Sequence, residues 1–481
     1  MNPASLAMLS IALLVALAAP AYGQRLMVGW AERDISPRLP VVLVGQFHAR
    51  VATEIRDPLT VTALALSEGE DGDCAVLVSC DVIAIRSEII ERCREAIGES
   101  VPDLPAEKVV LSATHTHTAP GFHDRFPRQV EDEMPPAEFA DLFVERVTEA
   151  VAEAWEQRRP GSVGWGYGHA VVAHNRRVVY FDGTARMYGN TDDPNFSHIE
   201  GYEDHGLDLL YTWDEAGELT GVLVNLACPS QVVGSATYVS ADFWHDVRVQ
   251  LRRRIGEGLF VLGQASAAGD QNSRNMVHRG KEERMLRLRG LTRREELGRR
   301  IANAVEEVLP LAQMETFDTL PLRHSVRQVH LARQPVTEEQ VEAARRNLER
   351  LQAEEPADER AETRRHSQLR RAERLISRYE EQQEQPTLEY EVNAIRLGDV
   401  AFASNPFEYY LDYGLRIEAR SPAQQTFIVQ LAGHAGYVPT ARALEGGGYS
   451  ADGNNRIGAE GGQQLVEHTL EMLHELWAEE E

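Results

Sequence analysis

The residues with the most chemistry to offer stand in LSATHTHTAPGFH, residues 111–123. Two histidines one residue apart, His115 and His117, follow the β-type run KVVL. Side chains two apart in an extended chain share a face, so both imidazoles are expected to look the same way as the strand runs out. A Pro-Gly turn and His123 come next, which places the segment in a loop, where sites on α/β scaffolds gather. Other polar groups also stand where apolar runs end. They are Asp81 after LVSC, Cys228 after LVNLA, Asp270 in QASAAGDQN, Glu408 in ASNPFEYY and Tyr437 in AGHAGYVPT. Strand ends converge on one edge of such a sheet, so these loops can meet. His, Cys, Glu and Tyr supply the nitrogen, sulfur and oxygen donors that zinc accepts. The local pattern leaves a blander reading open. An HxH pair arises by chance, a lone histidine is commonly a hydrogen-bonded structural residue, and Cys228 reads first as a small buried hydrophobe.

Elements that position these groups follow from the apolar spacing. Strands are expected at 60–67, 74–85, 108–111, 206–213, 220–227 and 259–265, and again through LEYEVNAIRLGDVAFASNP. Helices are expected at 87–98, 137–157, 241–256, 292–312 and 459–480. This alternation predicts an α/β fold, a mixed β-sheet core with helices on both faces. Residues 337–385 differ: they are charge-dense, almost free of aromatics and interrupted by Pro356. They read as a solvent-exposed helical hairpin inserted into a single domain, its charges solvated or serving as a lid or dimer contact.

The chain has 481 residues and a formal net charge of -26, which argues against nucleic acid and anionic membranes as partners. Its first residues, MNPASLAMLSIALLVALAAPAYGQ, read as a signal peptide, 1–23, cleaved near Gly23, so a secreted or periplasmic protein is expected. No later stretch is long and apolar enough to span a membrane. Four cysteines are too few for a disulfide scaffold, though one bridge is compatible with export.

The chain resembles the N-terminal catalytic domain of the neutral, non-lysosomal ceramidase family, as an outlying member. The pieces that carry the resemblance are GWAERDISP, LSATHTHTAPG, GVLVNLACPSQ, SADF, ASAAGDQN, NAIRLGDVAFASNPFEYY and AGYVPT, in the family's order over residues 24–481. The resemblance implies a zinc-dependent hydrolase that cleaves an amide of an N-acyl compound. Carried over, the zinc ligands are His115, Cys228, Glu408 and Tyr437, with Tyr449 close to the last. Cys228 stands where the family has a histidine, and a thiolate ligand would weaken the zinc as a Lewis acid. Asn272 stands where the family has an essential serine, with Ser273 one place on; an amide orients a substrate but is no nucleophile. His117, Asp270, Asn272 and Tyr437 form the implied catalytic group, with His117 a proton carrier, an oxyanion contact or a support for its neighbours. His245 and Arg176 are the implied substrate contacts, against the plainer readings of a surface histidine and a surface salt bridge. The departures point to a substrate other than ceramide, a small-molecule, lipid-amide or glycan compound. Two further classes stay open: a zinc-dependent lyase or glycoside hydrolase acting on polysaccharide, and a non-catalytic zinc-stabilised binding protein.

Overall fold

Runs rich in β-branched residues become strands, and segments with apolar residues three and four apart become helices. The structure is a computed structural model and describes residues 24–478 except 71, 128 and 452–454. The expected leader, 1–23, lies outside the described residues.

Eight strands make the larger sheet: β1 (Leu26–Asp34), β2 (Thr60–Glu68), β3 (Cys74–Cys80), β4 (Val109–Ala113), β5 (Arg159–His169), β6 (Gly206–Asp214), β7 (Leu219–Leu226) and β8 (Phe260–Ala265). Their order is β8-β7-β6-β5-β1-β2-β3-β4; β7–β8 and β3–β4 are parallel and the other neighbours antiparallel. Four more strands form a second sheet in sequence order: β9 (Leu322–Ala332), β10 (Thr387–Leu397), β11 (Val400–Ser404) and β12 (Gln425–Val429).

The two sheets pack face to face. On β2, Val61, Ala63 and Ala65 turn toward the helices α1 (Ser87–Ser100) and α2 (Pro136–Glu156). The alternate residues Leu64 and Leu66 join Leu397, Phe402 and Phe427 between the sheets. Helices α3 (Phe243–Arg254) and α4 (Arg293–Ala312) cover the same face of the larger sheet at its other end, over Leu209, Tyr211 and Val224. The expected mixed sheet core flanked by helices is present, built as two stacked sheets: the larger sheet has helices on one face and the smaller sheet on the other. Strands buried on both sides read as continuous apolar runs, which do not reveal what covers each side. Each fully buried Leu or Phe in this interface contributes roughly 1.5–3 kcal/mol.

Two helices, α5 (Glu338–Ala353) and α6 (Glu359–Glu381), form the expected hairpin and join β9 to β10. Those strands pair from Leu322↔Leu397 to Ala332↔Thr387, so the hairpin interrupts a β-hairpin without disturbing its register. Thr337 caps α5 in a reciprocal arrangement with Gln340, and Asp358 caps α6 through the Ala361 amide. Finally, α7 (Leu411–Glu418) and α8 (Ala459–Ala478) cover the outer face of the second sheet. All four cysteines are buried and free. No helix among the described residues is long and apolar enough to cross a membrane.

Candidate active site

The strand expected to run to 85 ends at Cys80, because the chain turns at Asp81. This carboxylate is fully buried and takes both nitrogens of Arg248, at 2.7 and 3.2 Å, and the Thr60 amide at 2.9 Å. It also accepts from the Thr114 hydroxyl at 3.1 Å, which ties the β3 end to the residue before His115. His115 then leaves the extended region with φ 65°, its amide bonded to Val82 O at 3.0 Å. The two imidazoles do not share a strand face as expected. The left-handed residue turns the chain, and the rings meet edge to face with centroids 5.0 Å apart. Gly45 at φ 98° makes room for His117, since a Cβ there would lie 2.4 Å from its ring.

Glu408 and Tyr437 arrive as partners. The two-residue strands Glu408–Tyr409 and Tyr437–Val438 pair in parallel, with Glu408 opposite Tyr437. The Tyr437 hydroxyl lies near enough to the Glu408 carboxylate to favour its ionised form. His115 Nε2 lies 3.3 Å from Glu408 Oε2, and both side chains are buried. His115 Nδ1 is 2.6 Å from Ile83 O, and a carbonyl only accepts, so Nδ1 carries the proton. The other ring nitrogen, Nε2, then faces a carboxylate oxygen. Two acceptors that face each other need a cation between them, a proton or a metal. Donors about 2.0–2.1 Å from a tetrahedral zinc are roughly 3.3 Å apart, the separation found here. A backbone carbonyl holding the outer nitrogen of the imidazole is the usual support of a metal-binding histidine. Burial works against ionisation of Glu408, but His115, Tyr437 and Arg176 outweigh it and hold the carboxyl below its usual range. His115 and Glu408, with Tyr437 opposite Glu408, are the side chains here that could hold a metal ion.

Behind this group lies a hub that the sequence reading passed over. Gln231 Nε2 is 2.9 Å from His117 Nε2, and Gln231 Oε1 accepts from Asn272 at 3.2 Å and Arg176 at 3.4 Å. Arginine can only donate, so the Gln231 oxygen faces Arg176 and its NH2 group donates to His117. His117 Nε2 is therefore the acceptor. Burial first, then the neighbouring His115, Arg50 and Arg176, pushes the His117 pKa well below the usual range, so the ring stays neutral. Arg176 is buried and donates to Tyr188 at 2.7 Å and Gly269 O at 2.9 Å. This disposes of the surface salt-bridge reading. Asn272 also accepts the Arg274 amide at 3.1 Å, while Ser273 beside it is buried.

Other expected residues fall outside this group. Cys228 packs with Phe243, Trp244 and Val247, its thiol directed at Val172 O and Pro229 O, each 3.6 Å away. Burial drives its pKa up, which keeps it a thiol. Among the described residues no three or more His, Cys, Asp or Glu side chains gather to hold a metal, so Cys228 does not join His115 and Glu408 here. Asp270 braces loops, accepting from Asn175 at 2.7 Å and the Leu411 amide at 3.0 Å. His245 sits in the first turn of α3, where Asp242 is the N-cap, next to Asp246 and its 2.9 Å ion pair with Arg294.

Backbone strain concentrates around the same place. Among the described residues, four non-glycine residues have positive φ: His115, Tyr188, Asp242 and Leu431. His115 faces Glu408, Tyr188 holds Arg176, Asp242 accepts the Val233 amide beside the Gln231 turn, and Leu431 binds β4 through Ala113. Each such residue costs on the order of 1–3 kcal/mol and persists where surrounding structure imposes it, typically at functional sites.

The fold is shared with solved ceramidase structures. A structure described as a ceramidase complexed with C2 superposes with a TM-score of 0.68 at 16% identity, covering 95% of this chain and 76% of that one. The neutral ceramidase from Pseudomonas aeruginosa gives 0.66 at 16% identity, covering 94% and 75%. No family model matches the sequence, and no curated protein does. At this identity the likeness establishes the fold.

Proposed function

We propose that the chain is an exported zinc-dependent hydrolase that cleaves the amide of an N-acyl compound, with zinc held by His115, Glu408 and Tyr437. The observation that carries this reading is the buried approach of His115 Nε2 to Glu408 Oε2 at 3.3 Å, with the outer ring nitrogen held by Ile83 O. The ceramidase-like fold supports the same reaction class. Bound there, zinc would supply Lewis-acid polarisation of a water or of the substrate oxygen. Arg176, buried beside Glu408 and Tyr437, places a fixed positive charge where negative charge develops on the acyl oxygen. His117, neutral and turned by Gln231, holds the hub against the site. Asn272 anchors Gln231 and offers no nucleophile, so water attacks the acyl carbon directly.

The test is turnover of N-acylated lipids and N-acylated amino sugars by the purified chain before and after metal chelation. Amine release is expected, lost on chelation and restored by zinc. Turnover indifferent to chelation contradicts the reading. Bound zinc with no turnover of any N-acyl compound makes the protein a zinc-stabilised binder instead.

A further inference from the structure

The chain carries a net charge of -26, yet the rim of this site is crowded with arginines. On α6, Arg360, Arg364, Ser367, Arg371 and Arg374 recur every three or four residues and so share one face. That face is turned toward the site. Ser367 donates to Phe47 O at 3.1 Å, and the Phe47 ring meets Tyr449 with centroids 5.3 Å apart. Tyr449 in turn meets Tyr437 at 5.8 Å. From the body below, Arg86 and Arg125 face Arg374, and Arg86 lies 2.9 Å from His123. At one end His48 stands beside Arg360 and Arg364.

Counter-charge is sparse. Glu88 lies 3.8 Å from Arg86, and Asp124 stands next to Arg125 in the chain. Arg371 has a partner of its own, whereas among the described residues no carboxylate is within ion-pair distance of Arg125, Arg360, Arg364 or Arg374. Burial and the charge of Arg86 weaken Arg125 as a base, although Tyr449 acts the other way. A cleft lined by one sign of charge draws the opposite sign from solution. The extent of the face narrows the choice of anion. From Arg360 to Arg374 it runs roughly 20 Å along the helix. An anionic lipid gathers its charge in one headgroup and needs an apolar groove for its tail. An acidic saccharide repeats its charges along an extended chain, and the Phe47 and Tyr449 rings lie between the arginines and Tyr437.

We propose that this site acts on an N-acylated acidic saccharide, whose carboxylate or sulfate groups are bound by the arginine face of α6 together with Arg86 and Arg125. The proposal rests on the hydrolase reading above for its chemistry. Water adds its oxygen to the acyl carbon, the C–N bond breaks, and the freed amine takes the proton.

The experiment is calorimetric titration of the full chain with a tetrasaccharide of alternating uronic acid and N-acetylated hexosamine. The comparisons are its carboxyl-reduced neutral form and micelles of an anionic N-acyl lipid. The double variant Arg364→Gln/Arg374→Gln keeps good helix formers, and its melting temperature reports folding. The acidic tetrasaccharide is expected to bind at least about tenfold more tightly than the neutral one, an advantage that the variant and added salt both remove. Equal binding of the two saccharides, or an unaltered variant, overturns the proposal. So does tighter, arginine-dependent binding of the lipid. Arginine-dependent saccharide binding without amine release supports the recognition and overturns the hydrolase reading.

Discussion

His115 meets two demands at once. Its positive φ turns the chain out of β4, and its Nδ1 proton is committed to Ile83 O, which leaves Nε2 for Glu408. Nothing in LSATHTHTAPG reveals that turn, because left-handed histidine is uncommon and alternation reads as strand. The register of Glu408 against Tyr437 is equally invisible locally, since it joins loops nearly thirty residues apart. Cys228 shows the opposite error. Its place in CPSQ matches a ligand position, but its side chain faces the core of α3, while Gln231 three residues on reaches the site. The expected outcome for Cys228→Ser is therefore retained metal content and a loss of about 1–3 kcal/mol of stability from an imperfectly bonded buried hydroxyl. Denaturant unfolding and metal analysis on one sample check both.

Among the elements, the hairpin separates most cleanly from the rest. Few of its residues are buried: Val341, Ala344 and Leu351 on α5, Thr363 and Ala372 on α6. It is fastened at its base, where Gln382 bonds both backbone groups of Val336 at 2.8 and 2.9 Å, and over the site through Ser367. Its charge density and Pro356 made its helices legible, but charge in a sequence does not say which way a helix face turns. Replacing residues 337–385 with a short turn should leave β9 and β10 paired. Zinc content is expected to hold and the melting temperature to move by less than about 5 °C, while acidic-saccharide affinity is lost. Calorimetry and scanning fluorimetry on the shortened chain test this.

At the scale of the molecule, the two-sheet sandwich sets the pH response. Asp208 on β6 reaches across to Gln425 on β12, which donates at 2.9 Å. Burial first, and Asp204 beside it, pushes the Asp208 carboxyl up to about 7. Burial, Asp208 and Asp204 push Glu418 on α7 up to about 8. Both lie above the unfolded values near 4. Their contribution is fully present below about pH 4 and is lost as pH rises through about 7 and 8, because ionisation then favours the unfolded chain. Melting temperature should fall between about pH 4 and pH 8 in the wild type and fall less in Asp208→Asn/Glu418→Gln. Strand and helix positions were legible from periodicity. The stacking of the sheets was not, because double burial erases alternation, and so this contact was not legible either.

On the proposed function, His115 and Glu408 would hold one zinc ion between them. The direct measurement is zinc per chain, by elemental analysis of extensively dialysed protein, in the wild type, Glu408→Gln, His115→Ala and Cys228→Ser. About one zinc is expected in the wild type and in Cys228→Ser, with loss in the other two, each shown to be folded by its melting transition. Zinc lost from Cys228→Ser, or retained in Glu408→Gln and His115→Ala alike, would contradict the account.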